Sequence, residues 1–168
     1  MRRRLLLLTL AAGLVAAGCG YSLRGNLPEH LQTVAVPMFL NRTPVPAVEN
    51  FMTSAVLNAF MTNGRLRVVG VSEADAILDG EITNYSLQAI SYDAVANVTQ
   101  YRLTLTLNLT FRDVRRNRVL TQRRGYSDRV DFAVPGTVAE TIAKTEAELQ
   151  NVSAVMARTV VSYVIDQF

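Results

Sequence analysis

The amino-acid sequence predicts an α+β fold in two layers, two helices lying on one face of a largely antiparallel sheet. Three observations predict it. Tyr101, Leu103, Leu105, Leu107, Leu109 and Phe111 alternate without a break against Arg102, Thr104, Thr106, Asn108, Thr110 and Arg112, the signature of a strand with one dry face and one wet face. Val48, Phe51, Met52, Ala55, Val56, Ala59 and Phe60 recur at the three- and four-residue spacing of an amphipathic helix. A second helical stripe of Val138, Ile142, Leu149, Val152, Met156, Val160 and Tyr163 follows the Pro135-Gly136 break. The resulting order of strand, helix, several strands and helix fits a sheet covered on one side only.

At the N-terminus, Arg2, Arg3 and Arg4 precede an apolar run over residues 5–17, closed by the small residues Ala16-Ala17-Gly18. This is the layout of an export signal, shorter than the ~20 apolar residues of a membrane-spanning helix. The only Cys of the chain, Cys19, follows at once. A bacterial lipobox has this form, with Ala16 standing where Leu is commonest. The reading takes residues 1–18 as a lipoprotein signal peptide and Cys19 as the site of lipid attachment. An ordinary cleaved signal is the alternative, and it leaves a lone thiol in an oxidising compartment. Several acyl chains hold a protein on a bilayer where one gives marginal residence, so the mature protein is expected to be anchored without spanning. Gly20, in place of an Asp, points by analogy to the outer membrane.

Residues 19–32 read as a lipidated tether and residues 33–168 as a single α+β domain. Residues 33–38 are an apolar strand ended by Pro37 and the Asn41-Arg42-Thr43-Pro44 turn signals, and the first helix stops at Asn63-Gly64. Residues 66–71 form a short strand and Ala76 to Tyr92 a longer one. In the longer strand Leu78, Gly80 and Ile82 share a face, while Tyr85, Leu87 and Ala89 fall in the opposite phase, so a bulge is expected near Thr83 or Asn84. A turn around Asn117 leads into a strand to about Phe132, and Thr137-Val138-Ala139-Glu140 fits a capping box that opens the last helix.

Charge and composition narrow the function. The chain has 17 Lys+Arg and 14 Asp+Glu, and Arg2, Arg3 and Arg4 account for the whole excess, so the mature protein carries no basic signature of nucleic-acid binding. His30 is the only His, placed in the tether, and no base stands ready to activate a nucleophile. The sequence shows no metal-ligand cluster, no catalytic set and no cofactor motif, and the domain reads as non-enzymatic. Glu73, Asp75, Asp79 and Glu81 are expected simply to solvate a loop and a strand edge. One charged feature stands out: Arg112, Arg115, Arg116, Arg118, Arg123 and Arg124 gather around a single acid, Asp113. Guanidinium groups grip phosphates bidentately, so Arg112, Arg115, Arg116, Arg118 and Arg124 are candidate contacts for the phosphates of lipopolysaccharide at an outer membrane; the alternative is a solvated edge that resists aggregation.

Cys19-Gly20-Tyr21-Ser22-Leu23-Arg24-Gly25, Val34-Ala35-Val36-Pro37 with Phe39, Asn41-Arg42-Thr43, Glu49, Leu66-Arg67-Val68-Val69, residues 74–82 and Tyr85 together resemble the LPS-assembly lipoprotein family of the LptE type. The resemblance covers most of the mature chain. It implies two helices on a four-stranded sheet, and a role as plug and assembly subunit of the lipopolysaccharide translocon inside an LptD-type outer-membrane β-barrel. Barrel interiors are polar, which gives the wet face of Thr104, Thr106, Asn108 and Thr110 a use as the face toward the barrel. The rival reading is an envelope lipoprotein that activates a cell-wall enzyme. About 14 residues of tether reach some 45 Å at most, which favours work close to the membrane.

Overall fold

The computed structural model describes residues 27–134 and 137–166; the signal at residues 1–18, Cys19, the glycine-bracketed segment after it and the Pro135-Gly136 break lie outside the described residues. In chain order the elements are β1 (Thr33–Ala35), β2 (Leu40–Asn41), α1 (Val48–Asn63), β3 (Arg67–Val68), a 3-10 turn (Val71–Glu73), β4 (Ala76–Tyr92), β5 (Val98–Asp113), β6 (Arg118–Ala133) and α2 (Val138–Asp166). The sheet runs β3-β1-β4-β5-β6, with β2 also paired to β4. The α+β class and the two helices on a sheet hold, but the sheet has six strands and is mixed. Long antiparallel pairs join β4, β5 and β6, whereas β1 pairs parallel with β3 and β4, and β2 parallel with β4. Strands of two or three residues are too short for a period of two to show itself. Their parallel pairing is set by connections such as α1, which carries the chain from β1 back to β3.

The alternation in β5 does what it predicts. Leu103, Leu105, Leu107, Leu109 and Phe111 are buried, and the polar residues between them stay half-buried on the other face. The register between β4 and β5 slips between Ile82 and Asn84, so the bulge falls at Thr83 and brings both halves of β4 into one strand. A second slip lies opposite Asn108, where Gly125 takes φ +64° on β6.

Helix α1 ends on Gly64, in the left-handed region at φ 71°, its N–H donating to the Phe60 carbonyl at 3.0 Å. Its start has no side-chain cap. Asn41 fastens it by donating from Nδ2 to the Val45 carbonyl (2.7 Å) and to Glu49 Oε2 (2.8 Å). Helix α2 opens with the expected capping box: the Thr137 hydroxyl and N–H donate to Glu140 Oε2, and the Glu140 N–H returns to Thr137 Oγ1. Its buried face runs from Leu149 to Ile165. The expected stripe fails at its first two members, since Val138 and Ile142 are 78% and 64% exposed. The reason is length. With 29 residues α2 outruns the 16 of α1, so its first turns have no helix opposite them.

The core joins α1, α2 and the dry face of β4 and β5, with Phe39, Phe60, Phe111 and Met156 among its largest fully buried side chains. Gly80 is a requirement of that packing. A Cβ there would overlap the ring of Phe39, which is itself buried in the core, so the ring would have to shift. Gly80→Ala is expected to cost about 1–3 kcal/mol, the usual range for overpacking, measured as a lower urea midpoint with an unchanged slope.

Candidate functional site

The wet face of the sheet spans β4, β5 and β6, with β5 in the middle. Thr104, Thr106, Asn108 and Thr110 point to it, as the alternation predicts, and all four are half-buried by their neighbours. Most of its polar groups bond to one another. Asn108 donates to Glu81 Oε2 (3.2 Å) and accepts the Gly125 N–H on Oδ1 (2.9 Å). Thr106 pairs with Ser127 (3.2 Å), and Gln122 donates to Thr110 (3.3 Å). Arg102 grips Asp131 with two bonds of 2.7 and 2.6 Å, Arg112 holds Asp79 at 2.8 Å, and Arg42 holds Glu81 at 2.8 Å. The hydrogen bonds from Arg42 and Asn108 hold the Glu81 carboxyl below its ordinary value. A polar face bonded in this way loses less when water is removed than one whose groups rely on water alone.

A second cluster lies at one end of the sheet, where the chain enters the domain and where β5 turns into β6. Asp75 is its centre. Oδ2 accepts the N–H groups of Gln32 and Thr33, both at 3.0 Å, and the Thr33 hydroxyl at 2.9 Å, while Oδ1 takes Arg115 Nη2 at 2.6 Å. The Asp75 N–H donates back to Thr33 Oγ1 at 2.9 Å, and the Val114 N–H donates to the Asp75 carbonyl at 2.9 Å. Beside it, Asp113 accepts from His30 Nε2 at 2.7 Å and from the Arg116 N–H at 2.9 Å. A carboxylate facing an imidazole nitrogen can only accept, so Nε2 is the donor.

Burial pushes both carboxyls up, and other groups overrule it. For Asp75 these are the Gln32 and Thr33 donors and the Arg115 charge; for Asp113, the His30 and Arg116 donors and the positive charge nearby. Both settle below the ordinary aspartate range. The sequence reading that Asp75, Asp79 and Glu81 merely solvate an edge is therefore corrected: Asp75 is a buried junction, and Asp79 and Glu81 hold arginines. The pairing of Asp113 with His30 escapes sequence reasoning, since 83 positions separate them and neither carries a local signal.

The structure divides the arginine run instead of gathering it. Arg112 lies on the wet face against Asp79, and Arg115 is spent on Asp75. Arg123 turns to the helix side, its guanidinium 4.4 Å from the ring centre of Tyr126 and 5.0 Å from that of Tyr163. Arg124 lines a wet-face hollow of about 520 Å³ with Asp79, Glu81, Asn108, Thr110 and Gln122. Arg116 and Arg118 are exposed at the β5–β6 turn, with no carboxylate partner among the described residues. No trio of metal-ligating side chains occurs among the described residues, and no helix there is long and apolar enough to cross a membrane.

Comparison with known proteins adds a family and a fold. The family model LptE, described as lipopolysaccharide-assembly, matches residues 31–167. Among solved structures, a PelC dodecamer subunit from Paraburkholderia phytofirmans (L103M) is similar at 15% identity and a TM-score of 0.54, covering 84% of this chain and 92% of that one. The rare lipoprotein B from Shewanella oneidensis is similar at 13% identity and a TM-score of 0.51, covering 77% and 92%. Lipoprotein B from Nitrosomonas europaea reaches 20% identity and a TM-score of 0.50, covering 86% and 92%. At these identities the likeness is one of fold. No curated protein matches the chain by sequence.

The Asp75 junction generates a stability prediction. Asp75→Asn replaces an acceptor of four bonds by a group with one acceptor oxygen and an NH₂ facing Arg115, and is expected to cost about 1–3 kcal/mol in urea unfolding. Because the folded-state values of Asp75 and Asp113 lie below those of the unfolded chain, their stabilisation is whole above the ordinary value of 3.8 and drains as pH falls from there through the lower folded values. The urea midpoint of the parent should therefore drop in this acid window, and Asp75→Asn should flatten the drop.

Proposed function

Because this chain belongs to the LptE lipopolysaccharide-assembly family, we propose that it is held at the outer membrane by acyl chains on Cys19 and serves as the plug and assembly subunit of the lipopolysaccharide translocon, seated in an LptD-type β-barrel. The role is structural and non-catalytic. The observation that carries this reading is the wet face. Helices cover only one side of the sheet, and the other side presents Thr104, Thr106, Asn108 and Thr110 in a plane of mutually bonded polar groups. Such a plane suits the polar interior of a barrel, because its groups keep their partners when the barrel wall replaces water. The competing role, activation of a cell-wall enzyme, calls for reach across the periplasm. The buried Leu31 and the bonded His30 shorten the free tether and count against it.

Within this reading Arg112, Arg115, Arg116, Arg118 and Arg124 are the groups offered to lipopolysaccharide phosphates. Arg116, Arg118 and Arg124 carry most of that role, since Arg112 and Arg115 are already paired with acids.

Two measurements test the proposal. Affinity purification from native membranes should recover a large β-barrel in equal amount with this protein. Trp at both positions 106 and 108 (Thr106→Trp with Asn108→Trp) should remove most of the barrel while the isolated protein still unfolds in one cooperative thermal transition, lowered by the lost bonds to Ser127, Glu81 and Gly125; full recovery of the barrel with the double variant overturns the assignment of the face. Charge reversal of Arg116, Arg118 and Arg124 together should weaken lipopolysaccharide binding at low salt by about tenfold for each arginine that bonds a phosphate. Unchanged binding removes the arginine assignment and leaves the plug reading intact.

A further inference from the structure

Two rails of hydrogen-bonding side chains run along the outer side of the helix layer, away from the sheet. On α1 the rail is Asn50, Ser54, Asn58 and Thr62; on α2 it is Gln150, Arg158 and Ser162. Residues four apart stand one above another on a helix, about 6 Å along its axis, so each rail is a straight row, and the one on α1 is about 18 Å long. Between the rails lies a groove of about 740 Å³, open because Ala55, Ala59 and Ala154 form much of its floor. The groove follows the long axis of the domain. Thr33 of β1 pairs with Arg67 of β3, Val34 with Ala76, and Ala76 with Asp113, so the starts of β1, β3 and β4 and the turn from β5 to β6 share one end. Helix α1 finishes there, since Gly64 leads straight into β3, and α2 does too, since the Thr121 hydroxyl near the start of β6 donates to Tyr163 at 3.3 Å.

The groove differs from the wet face of the sheet in charge and in bonding. Glu49 is the single charged residue among the 16 of α1, and Asn41 holds it. The water-facing side of a helix ordinarily carries charges, and here it carries amides and hydroxyls. Arg158 is the one charged side chain on the lining. The polar groups of the sheet face bond one another, whereas the exposed side chains of Asn50, Ser54, Asn58, Thr62 and Gln150 have no hydrogen-bond partner among the described residues. Their bonding capacity is open.

That chemistry selects an occupant. A protein partner binds through apolar anchors, and the groove projects none: Phe51, Ala55 and Ala59 are half-buried and Val161 is buried. A phosphate calls for converging cations, and the lining has one. A neutral sugar chain fits, because its hydroxyls donate and accept as Asn, Gln, Ser and Thr do, and a chain can lie along two rails. In the plug reading such a chain is at hand. The sugar part of lipopolysaccharide cannot cross the apolar core of a bilayer, where unpaired hydroxyls are costly, so its path lies inside the barrel and past the plug. A two-layer domain has two broad faces. The self-bonded sheet face suits the wall, and the helix face is left for the path.

We propose that the groove between α1 and α2 is a track for the neutral sugar chain of lipopolysaccharide, with Asn50, Ser54, Asn58, Thr62 and Gln150 exchanging hydrogen bonds with its hydroxyls. The choice of sugar rests on the plug reading, and none of the arginines assigned to phosphates takes part.

The test titrates the natively processed lipoprotein, in neutral detergent micelles, with lipopolysaccharide oligosaccharide stripped of lipid and phosphate. Amide resonances of Asn50, Asn58 and Gln150 should shift and saturate at millimolar sugar, and those of the wet sheet face should stay. Asn58→Leu with Thr62→Val keeps the bulk of the rail and should weaken binding about fivefold for each hydrogen bond removed, with the thermal transition retained. Charge reversal of Arg116, Arg118 and Arg124 should leave this binding unchanged. In the native complex, a photo-crosslinking residue at position 58 should capture lipopolysaccharide, and one at position 106 the barrel. Shifts that fail to saturate or that glycerol reproduces, binding indifferent to the double variant, or capture of the barrel alone or of nothing at position 58 overturns the track. The plug reading is read separately: it survives those results if the barrel still co-purifies, and it falls if no barrel co-purifies, even where the sugar titration succeeds.

Discussion

A strand whose every second side chain is apolar for six pairs in succession has a single way to be buried, with one face under a cover and the other left to something polar. β5 imposes that condition on the whole domain. It sits at the middle of the long antiparallel part of the sheet, so its dry face dictates where α1 and α2 lie, and its wet face dictates what β4 and β6 set opposite it. The pairs Arg102–Asp131, Thr106–Ser127, Glu81–Asn108 and Gln122–Thr110 all follow from register, because directly opposed residues in an antiparallel pair share a face. The bulges at Thr83 and Gly125 keep that register over strands long enough to lose it.

The parts of the fold legible in the sequence are those whose signal is local. The β5 alternation, the slip at Thr83, the Gly64 stop and the Thr137–Glu140 box are each contained in a few consecutive residues, and each is present in the structure. What stayed hidden depends on residues far apart. Residues 33–38 and 66–71 read as strands and contain β1 and β3, but the parallel pairing of β1, β2 and β3 exists only because the long hairpin offers them an edge, and nothing in Leu40-Asn41 or Arg67-Val68 announces it. Asp75 reads as one acid among four, and only the arrival of Gln32, Thr33 and Arg115 around it makes it a buried junction. Val138 and Ile142 satisfy the helical period and are nonetheless exposed, since periodicity marks a face without saying how far the opposite element extends.

The arginine run shows the same limit for function. In sequence it is one basic block; the pleat sends alternate members to opposite faces, and the ion pairs with Asp75 and Asp79 neutralise two of them. Charge available to a partner is therefore set by topology, which silences Arg112, Arg115 and Arg123 in different ways and brings Arg65 and Arg67, from another part of the chain, to the end that carries Arg116 and Arg118.

The two ends of the long hairpin are held very differently. At the end where the chain enters, β1, β3, the Asp75 junction, the His30–Asp113 bond and the last turns of both helices all converge. Opening it requires many interactions to break together. At the other end β4 and β5 run past the short strands and past α1, Val95 is 77% exposed, and the first turns of α2 lie over open ground. Local opening has a low free energy where buried neighbours are few, so the domain is stiff at its base and yielding at its tip. For the anchored plug proposed above that gradient has a use: a rigid base would transmit the position of the anchor to the sheet, and a compliant tip would adjust to the wall that receives it without loosening the core.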